Sequence, residues 1–209
     1  MTPRTFVESI AGPAGRLECA IDAPEGPARG VAVICHPHPQ FGGTMTNKVV
    51  QTVARAFVQL GWRSVRFNFR GIGKSEGSWD EGRGEVDDAE AVLAHYRGVD
   101  GVAGPFALAG FSFGGYVAAE LAHRLPDSEK PAALVLVGPS TEKQQVPVVP
   151  ADTVVIHGES DEVVPLAATL DWARPQGLPV IVFPGVGHFF HGQLGPLKTM
   201  VMRQLQTAL

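Results

Sequence analysis

Several things are missing from this sequence, and each absence removes a class of protein. No apolar run reaches about 18 residues, so nothing in the sequence is expected to span a bilayer as a helix. Residues 1–15 lack an apolar core after a basic start, so no export signal is expected. Cysteine is nearly absent. Only Cys19 and Cys35 occur, too few for a disulfide framework, and both lie in apolar, strand-like runs rather than at a strand-to-helix turn that could present a thiolate. A reducing cytoplasm is the expected location. Basic blocks are absent too: 17 Lys and Arg against 21 Asp and Glu leave a formal charge of −4. That removes the electrostatic footing for nucleic acid or an anionic membrane surface. Repeats and low-complexity tracts are also lacking.

What is present suits a folded enzyme-sized domain. The 209 residues are 44% hydrophobic and 18% charged, and a chain of this length can bury about 70% of its unfolded surface. One domain over residues 1–209 is expected. Residues 4–10 and 15–22 pattern as two strands around a turn at Gly12–Gly15. From Gly30 onward strands and helices alternate. Apolar runs at Gly30–Cys35, Trp62–Phe69, Pro105–Ala109, Ala133–Val137, Thr153–Ile156 and Val180–Phe183 read as strands. Helical stripes run through Val49, Val53 and Phe57, through Val86, Ala89 and Leu93, through Val117 and Leu121, over Leu166–Trp172, and through Leu197, Val201 and Leu205. This order predicts an α/β fold with a mostly parallel central sheet and helices on both faces. Ligands of such sheets sit beyond the carboxyl ends of the strands.

The stretch Gly110-Phe111-Ser112-Phe113-Gly114 lies where one of these strands passes into a helix. Gly-x-Ser-x-Gly in that setting is a nucleophile elbow: the turn is too tight for side chains two positions to either side, and it pushes the serine hydroxyl out at the positive end of the following helix. An activated serine needs a base, and the base needs an orienting acid. Asp161 follows the strand ending at Ile156, with Glu159 and Glu162 as rivals. His188 follows the strand ending at Phe183, with His191 as rival. The order Ser112, Asp161, His188 is nucleophile, acid, base, each at the carboxyl end of a strand.

On these residues the chain resembles the α/β-hydrolases from about Gly30 to its end. The run His36-Pro-His-Pro-x-Phe-Gly-Gly-Thr-Met-x-Asn-Lys-Val49 resembles a branch of small bacterial α/β-hydrolases that carry no cap. Gly138–Asp152, rich in proline and glycine and without helical period, fits the same lack of a lid domain. The resemblance implies an acyl-serine mechanism without a cofactor, acting on small soluble carboxylic esters. A thioesterase, an amidase, an acyltransferase and a non-catalytic binding protein are alternatives on the same framework. Two backbone N–H donors are needed to hold the oxyanion. One is expected from Phe113, the residue after the nucleophile. The second is expected from the loop after the third strand, where Pro37 and Pro39 have no N–H. His38 is the first choice there and Gln40 or Phe41 the fallback.

Partial motifs for two other chemistries are present. Gly73-Lys74-Ser75 suggests a phosphate-binding loop, but Asn68 occupies the position of the earlier glycine and glycines rather than a helix follow. A wall beside the site is the expected role of this loop. His36, His38, His157, His188 and His191 could converge on a metal, yet they lack the spacing of a metal-binding helix, and no metal is expected. Packing and loop hydrogen bonds are the expected roles of His36, His38 and His157. The sequence leaves the oligomeric state open.

Overall fold

Alternating strand and helix patterns close into one eight-stranded sheet with helices on both faces. A computed structural model describes residues 5–98 and 104–208. In chain order the elements are β1 (Phe6–Gly12), β2 (Gly15–Asp22), β3 (Val31–Cys35), α1 (Lys48–Gln59), β4 (Arg63–Phe67), α2 (Arg83–Gly98), β5 (Phe106–Phe111), α3 (Phe113–Arg124), β6 (Ala133–Val137), β7 (Val154–Gly158), α4 (Leu166–Ala173), β8 (Val180–Phe183) and α5 (Leu194–Ala208). The sheet order is β1-β2-β4-β3-β5-β6-β7-β8. β4, β3 and β5 to β8 run parallel, while β1 pairs antiparallel with β2 and β2 antiparallel with β4.

The two side-chain periods divide the core. Along β5, Phe106 and Leu108 face one layer with residues of α2 and α3. Ala107, Ala109 and Phe111 face the other, with residues of α1 and α5. β6 divides in the same way, with Leu134 and Leu136 against Ala133, Val135 and Val137. The stripes of α1 and α5 meet the sheet, with Val49, Val53 and Phe57 of α1 and Leu197, Val201 and Leu205 of α5 fully buried, whereas Leu166, Leu170 and Trp172 of α4 are only partly buried. Burial of each such large side chain contributes about 1.5–3 kcal/mol. α1 starts where Asn47 Oδ1 accepts from the Val49 and Val50 amides at 2.9 and 3.4 Å, a cap worth about 1 kcal/mol. Among the described residues no helix is long and apolar enough to cross a membrane.

Several boundaries differ from the sequence expectation. β1 begins at Phe6 and reaches Gly12, so the turn shrinks to two residues; Arg4, expected in this strand, lies outside the described residues. β5 continues through Gly110 and Phe111 because these pair with Leu136 and Val137 of β6. β7 takes in His157 and Gly158, which pair with Val182 and Phe183. The strand expected over 62–69 narrows to Arg63–Phe67, and the Phe69 amide donates to His36 Nε2 at 3.1 Å.

Residues 70–82 pass without regular structure beyond the carboxyl end of β4 and are held by buried charge. Arg70 Nη2 and Nε reach Asp88 Oδ1 and Oδ2 at 2.8 and 3.0 Å, and the Arg70 amide reaches Oδ2 at 2.9 Å. Glu85 accepts from the Asp80 and Gly82 amides at 3.0 and 2.8 Å, and Glu18 accepts from Asn68 Nδ2 and the Lys74 amide at 2.8 and 2.9 Å. Asp88 is completely buried. Truncating one partner of such a pair leaves the other charge uncompensated. Asp88→Ala is therefore expected to lower the unfolding free energy in urea by about 3–5 kcal/mol, and a loss below about 1 kcal/mol would show that Arg70 finds another partner.

Candidate active site

The chain leaves β3 toward β4 on one side and returns to β5 on the other, so the carboxyl ends of β3 and β5 flank the point where the sheet order reverses. In open α/β sheets the ligand crevice opens at this place. The β3 end carries His36 to Gly43 and the β5 end carries Ser112.

Ser112 is held at φ 57°, ψ −120°, a left-handed conformation uncommon for a residue with a side chain. Such backbone costs about 1–3 kcal/mol and persists only where its surroundings enforce it. Here they do. A Cβ on Gly110 would lie 2.0 Å from the Gly114 carbonyl oxygen, and one on Gly114 would lie 2.3 Å from that of Cys35. The Ser112 amide donates to Val137 O at 2.9 Å, and its carbonyl accepts from Gly115 and Ser140 at 2.9 and 3.2 Å. Ser112 occupies the cap position of α3, yet its hydroxyl makes no capping hydrogen bond.

Asp161 and His188 meet across the loops after β7 and β8. His188 Nδ1 lies 2.6 Å from Asp161 Oδ2, and both side chains are buried. Asp161 Oδ1 accepts from the Val163 and Val164 amides at 2.9 and 2.8 Å. Burial alone would raise the Asp161 carboxyl. The His188 hydrogen bond and then the Val164 and Val163 amides outweigh it, so the group is held below the ordinary carboxylate range. The His188 ring packs 4.8 Å from Phe111, the residue before Ser112. The rivals are placed elsewhere. Glu162 and His191 are exposed, and Glu159 accepts from the Gly185 amide at 2.7 Å.

On the other flank, Pro39–Phe41 forms a short 3-10 turn. His38 O accepts from the Phe41 and Gly43 amides at 3.1 and 3.0 Å, and the Gln40 amide faces His38 Nδ1 at 3.3 Å. The Gln40 and Phe41 amides are thus engaged. The His38 and Phe113 amides have no acceptor among the described residues. The His38 ring lies 4.7 Å from Trp79 and 5.0 Å from Phe113. Trp79 therefore makes the glycine loop a wall of the crevice. Burial and then nearby Lys143 lower the His38 imidazole below its usual range, favouring the neutral ring.

The remaining histidines and both cysteines are tied down. Because Phe69 N–H donates to His36 Nε2, the neutral ring carries its proton on Nδ1, which donates to Pro37 O at 2.6 Å. Burial drives this group down to about 4. His157 Nε2 donates to Val164 O at 2.9 Å. Burial pushes the Cys19 thiol up to about 12 and Cys35 higher still, which removes both as nucleophiles. Among the described residues no three His, Cys, Asp or Glu side chains are grouped as metal ligands. A cavity of about 500 Å³ opens between the loops after β7 and β8, bordered by Glu162, Val163, His188, Phe189, His191 and Gln193.

Comparison with known proteins identifies the family and the fold. Residues 26–152 match the model of the family described as serine aminopeptidase, S33; the match includes Ser112 and ends before Asp161 and His188. A solved α/β serine hydrolase homologue from Coxiella burnetii is 40% identical, with a TM-score of 0.86 and 98% of each chain covered. A solved serine hydrolase without a lid from Xanthomonas campestris is 35% identical, with a TM-score of 0.91 and coverage of 100% of this chain and 97% of that one. An uncharacterised protein of Rickettsia prowazekii is 40% identical over 116 residues, 56% of this chain and 49% of that protein, so the match spans about half of that relative's length.

The depressed Asp161 carboxyl has a consequence for stability. A group lowered on folding stabilises the native state above its unfolded value, about 4 for Asp, and that contribution is lost as pH falls through the folded value. Melting temperatures measured from pH 7 to pH 3 should therefore fall more steeply for the native chain than for Asp161→Asn. Parallel curves would mean that Asp161 titrates alike in both states.

Proposed function

The chain belongs to the serine hydrolases of the α/β-hydrolase family, in the branch without a lid, and from that premise we propose that it is a carboxylesterase acting on small soluble esters through an acyl-serine intermediate. The observation that carries this reading is Ser112, forced into a left-handed turn with its hydroxyl left out of the helix cap. His188, as base, takes the Ser112 proton on Nε2 while Oγ bonds to the ester carbonyl carbon. Phe113 and His38 N–H groups, which have no acceptor among the described residues, hold the oxyanion. As the tetrahedral species collapses, the bond from carbonyl carbon to alkoxy oxygen breaks and the Nε2 proton passes to the departing alcohol. Water, giving its proton to His188, then attacks the acyl carbon and releases the acid and Ser112. Asp161 fixes the His188 tautomer through Nδ1 and stabilises the imidazolium.

The three side chains supply nucleophile, proton shuttle and orientation, so the reaction requires no cofactor. Residues 138–153 contain no helix or strand that could fold over the crevice, which favours compact substrates that reach the serine from water. Phe41 and Phe189 present exposed rings near His38 and His188 and suit an uncharged, partly apolar ester. Two buried free thiols accord with a reducing cytoplasm as its location.

A chain-length series of p-nitrophenyl esters tests the proposal. Rates should peak among acetate to hexanoate, and Ser112→Ala should lose at least about 10³-fold in kcat/KM. A peak at long acyl chains, an active Ser112→Ala, or p-nitroanilides cleaved as fast as the esters would each turn the assignment away from a small-ester carboxylesterase.

A further inference from the structure

His157 is the penultimate residue of β7, four residues before the acid, and its side chain is fully buried. Burial there is unfavourable, because His157 Nδ1 has no hydrogen-bond partner. The other nitrogen explains why a polar ring occupies the position. Nε2 donates to Val164 O at 2.9 Å and lies 3.4 Å from Asp161 Oδ2, the oxygen that His188 Nδ1 contacts at 2.6 Å. Val164 is held at both ends, since its amide donates to Asp161 Oδ1 at 2.8 Å. The result is an open circuit of hydrogen bonds, from carboxylate Oδ1 through Val164 N–H and Val164 C=O to His157 Nε2–H, whose nitrogen then stands 3.4 Å from carboxylate Oδ2 in electrostatic contact without a hydrogen bond.

We propose that His157 is a positioning residue for the acid: it locks the Asp161 carboxylate so that Oδ2 faces His188, and the positive edge of its N–H restrains how strongly Oδ2 draws the His188 proton. The inference rests on the assignment of Ser112, Asp161 and His188 given above. A donor to Val164 must carry its proton on Nε2, which leaves Nδ1 as the bare lone pair. Burial lowers the proton affinity of this ring, so His157 favours a neutral donor beside the carboxylate rather than a second cation that would neutralise it. The titratable groups around the circuit are Asp161 from the β7–α4 loop and His188 from the β8–α5 loop. Glu162 and His191 stand along the neighbouring cavity. From the end of β6, Gly138 approaches both Asp161 and His188 without a side chain.

The pH dependence of kcat/KM for p-nitrophenyl acetate separates positioning from simple structural support. His157→Phe keeps the ring volume and removes the donor. His157→Gln places an amide N–H at a reach similar to Nε2. Without the donor, Oδ2 holds the imidazolium more tightly, so His157→Phe should move the acid limb of the profile to higher pH by about half a unit and lower kcat with little change in KM. His157→Gln should restore the native limb. Should the Phe variant fail to fold, His157→Asn, whose amide stops short of Val164, should show the same shift. An acid limb that stays in place or moves to lower pH in folded Phe or Asn variants, or a Gln variant that matches them, overturns the inference. Full activity in Ser112→Ala would instead remove the assignment on which it rests.

Discussion

The steric closure of the backbone around Ser112 is the constraint on which the site depends. The end of β5, the first turn of α3 and the end of β3 approach so closely that added Cβ atoms on Gly110 and Gly114 would sit within bonding-like distance of carbonyl oxygens. This contact holds the serine in a conformation it would not adopt alone. It also seats the His36–Gly43 loop against the elbow, since Gly114 meets both Cys35 and His36 backbone oxygens. The approach is affordable in free energy because β3, β5 and β6 form the buried centre of the sheet, where side chains pack on both faces.

Around this fixed point the rim divides into two flanks with different physics. On the β7–β8 side a buried carboxylate and imidazole are paired, and backbone amides satisfy the second carboxylate oxygen. Leaving either unpaired would be expensive in so dry a position. On the β3 side the architecture is aromatic: His38, Trp79 and Phe113 lie ring against ring, and the glycine loop that supplies Trp79 is anchored by Arg70–Asp88 and Glu85. One flank pairs a buried carboxylate with an imidazole, while the other shapes the crevice, and among the described residues the His38 and Phe113 amides have no acceptor.

Much of this was legible in the sequence, for physical reasons. The stripes of α1 and α5 could be read because a helix packed on a sheet must repeat its apolar residues near every third or fourth position. That Asp161 and His188 meet could be read because each follows an apolar strand, and the carboxyl ends of parallel strands share one rim. What was hidden depends on partners distant in the chain. Nothing local to Glu18 signals that Asn68 and Lys74 will reach it, or that Asp88 will bury its charge against Arg70. The loop after β3 could be narrowed to His38, Gln40 or Phe41, but no further, because the 3-10 turn that engages two of those amides is set by three-dimensional packing. For His157 the sequence points to packing and loop hydrogen bonds, and the ring does bond the loop at Val164 O; its approach to Asp161 depends on β7 running two residues past its apolar run.

The claim beneath all of this is that the turn at residue 112 presents one nucleophilic hydroxyl. Intact-mass and peptide mass spectrometry after treatment with a fluorophosphonate measure that most directly. One adduct per chain is expected, on the peptide containing Ser112. No adduct, or one carried by another serine, would contradict it.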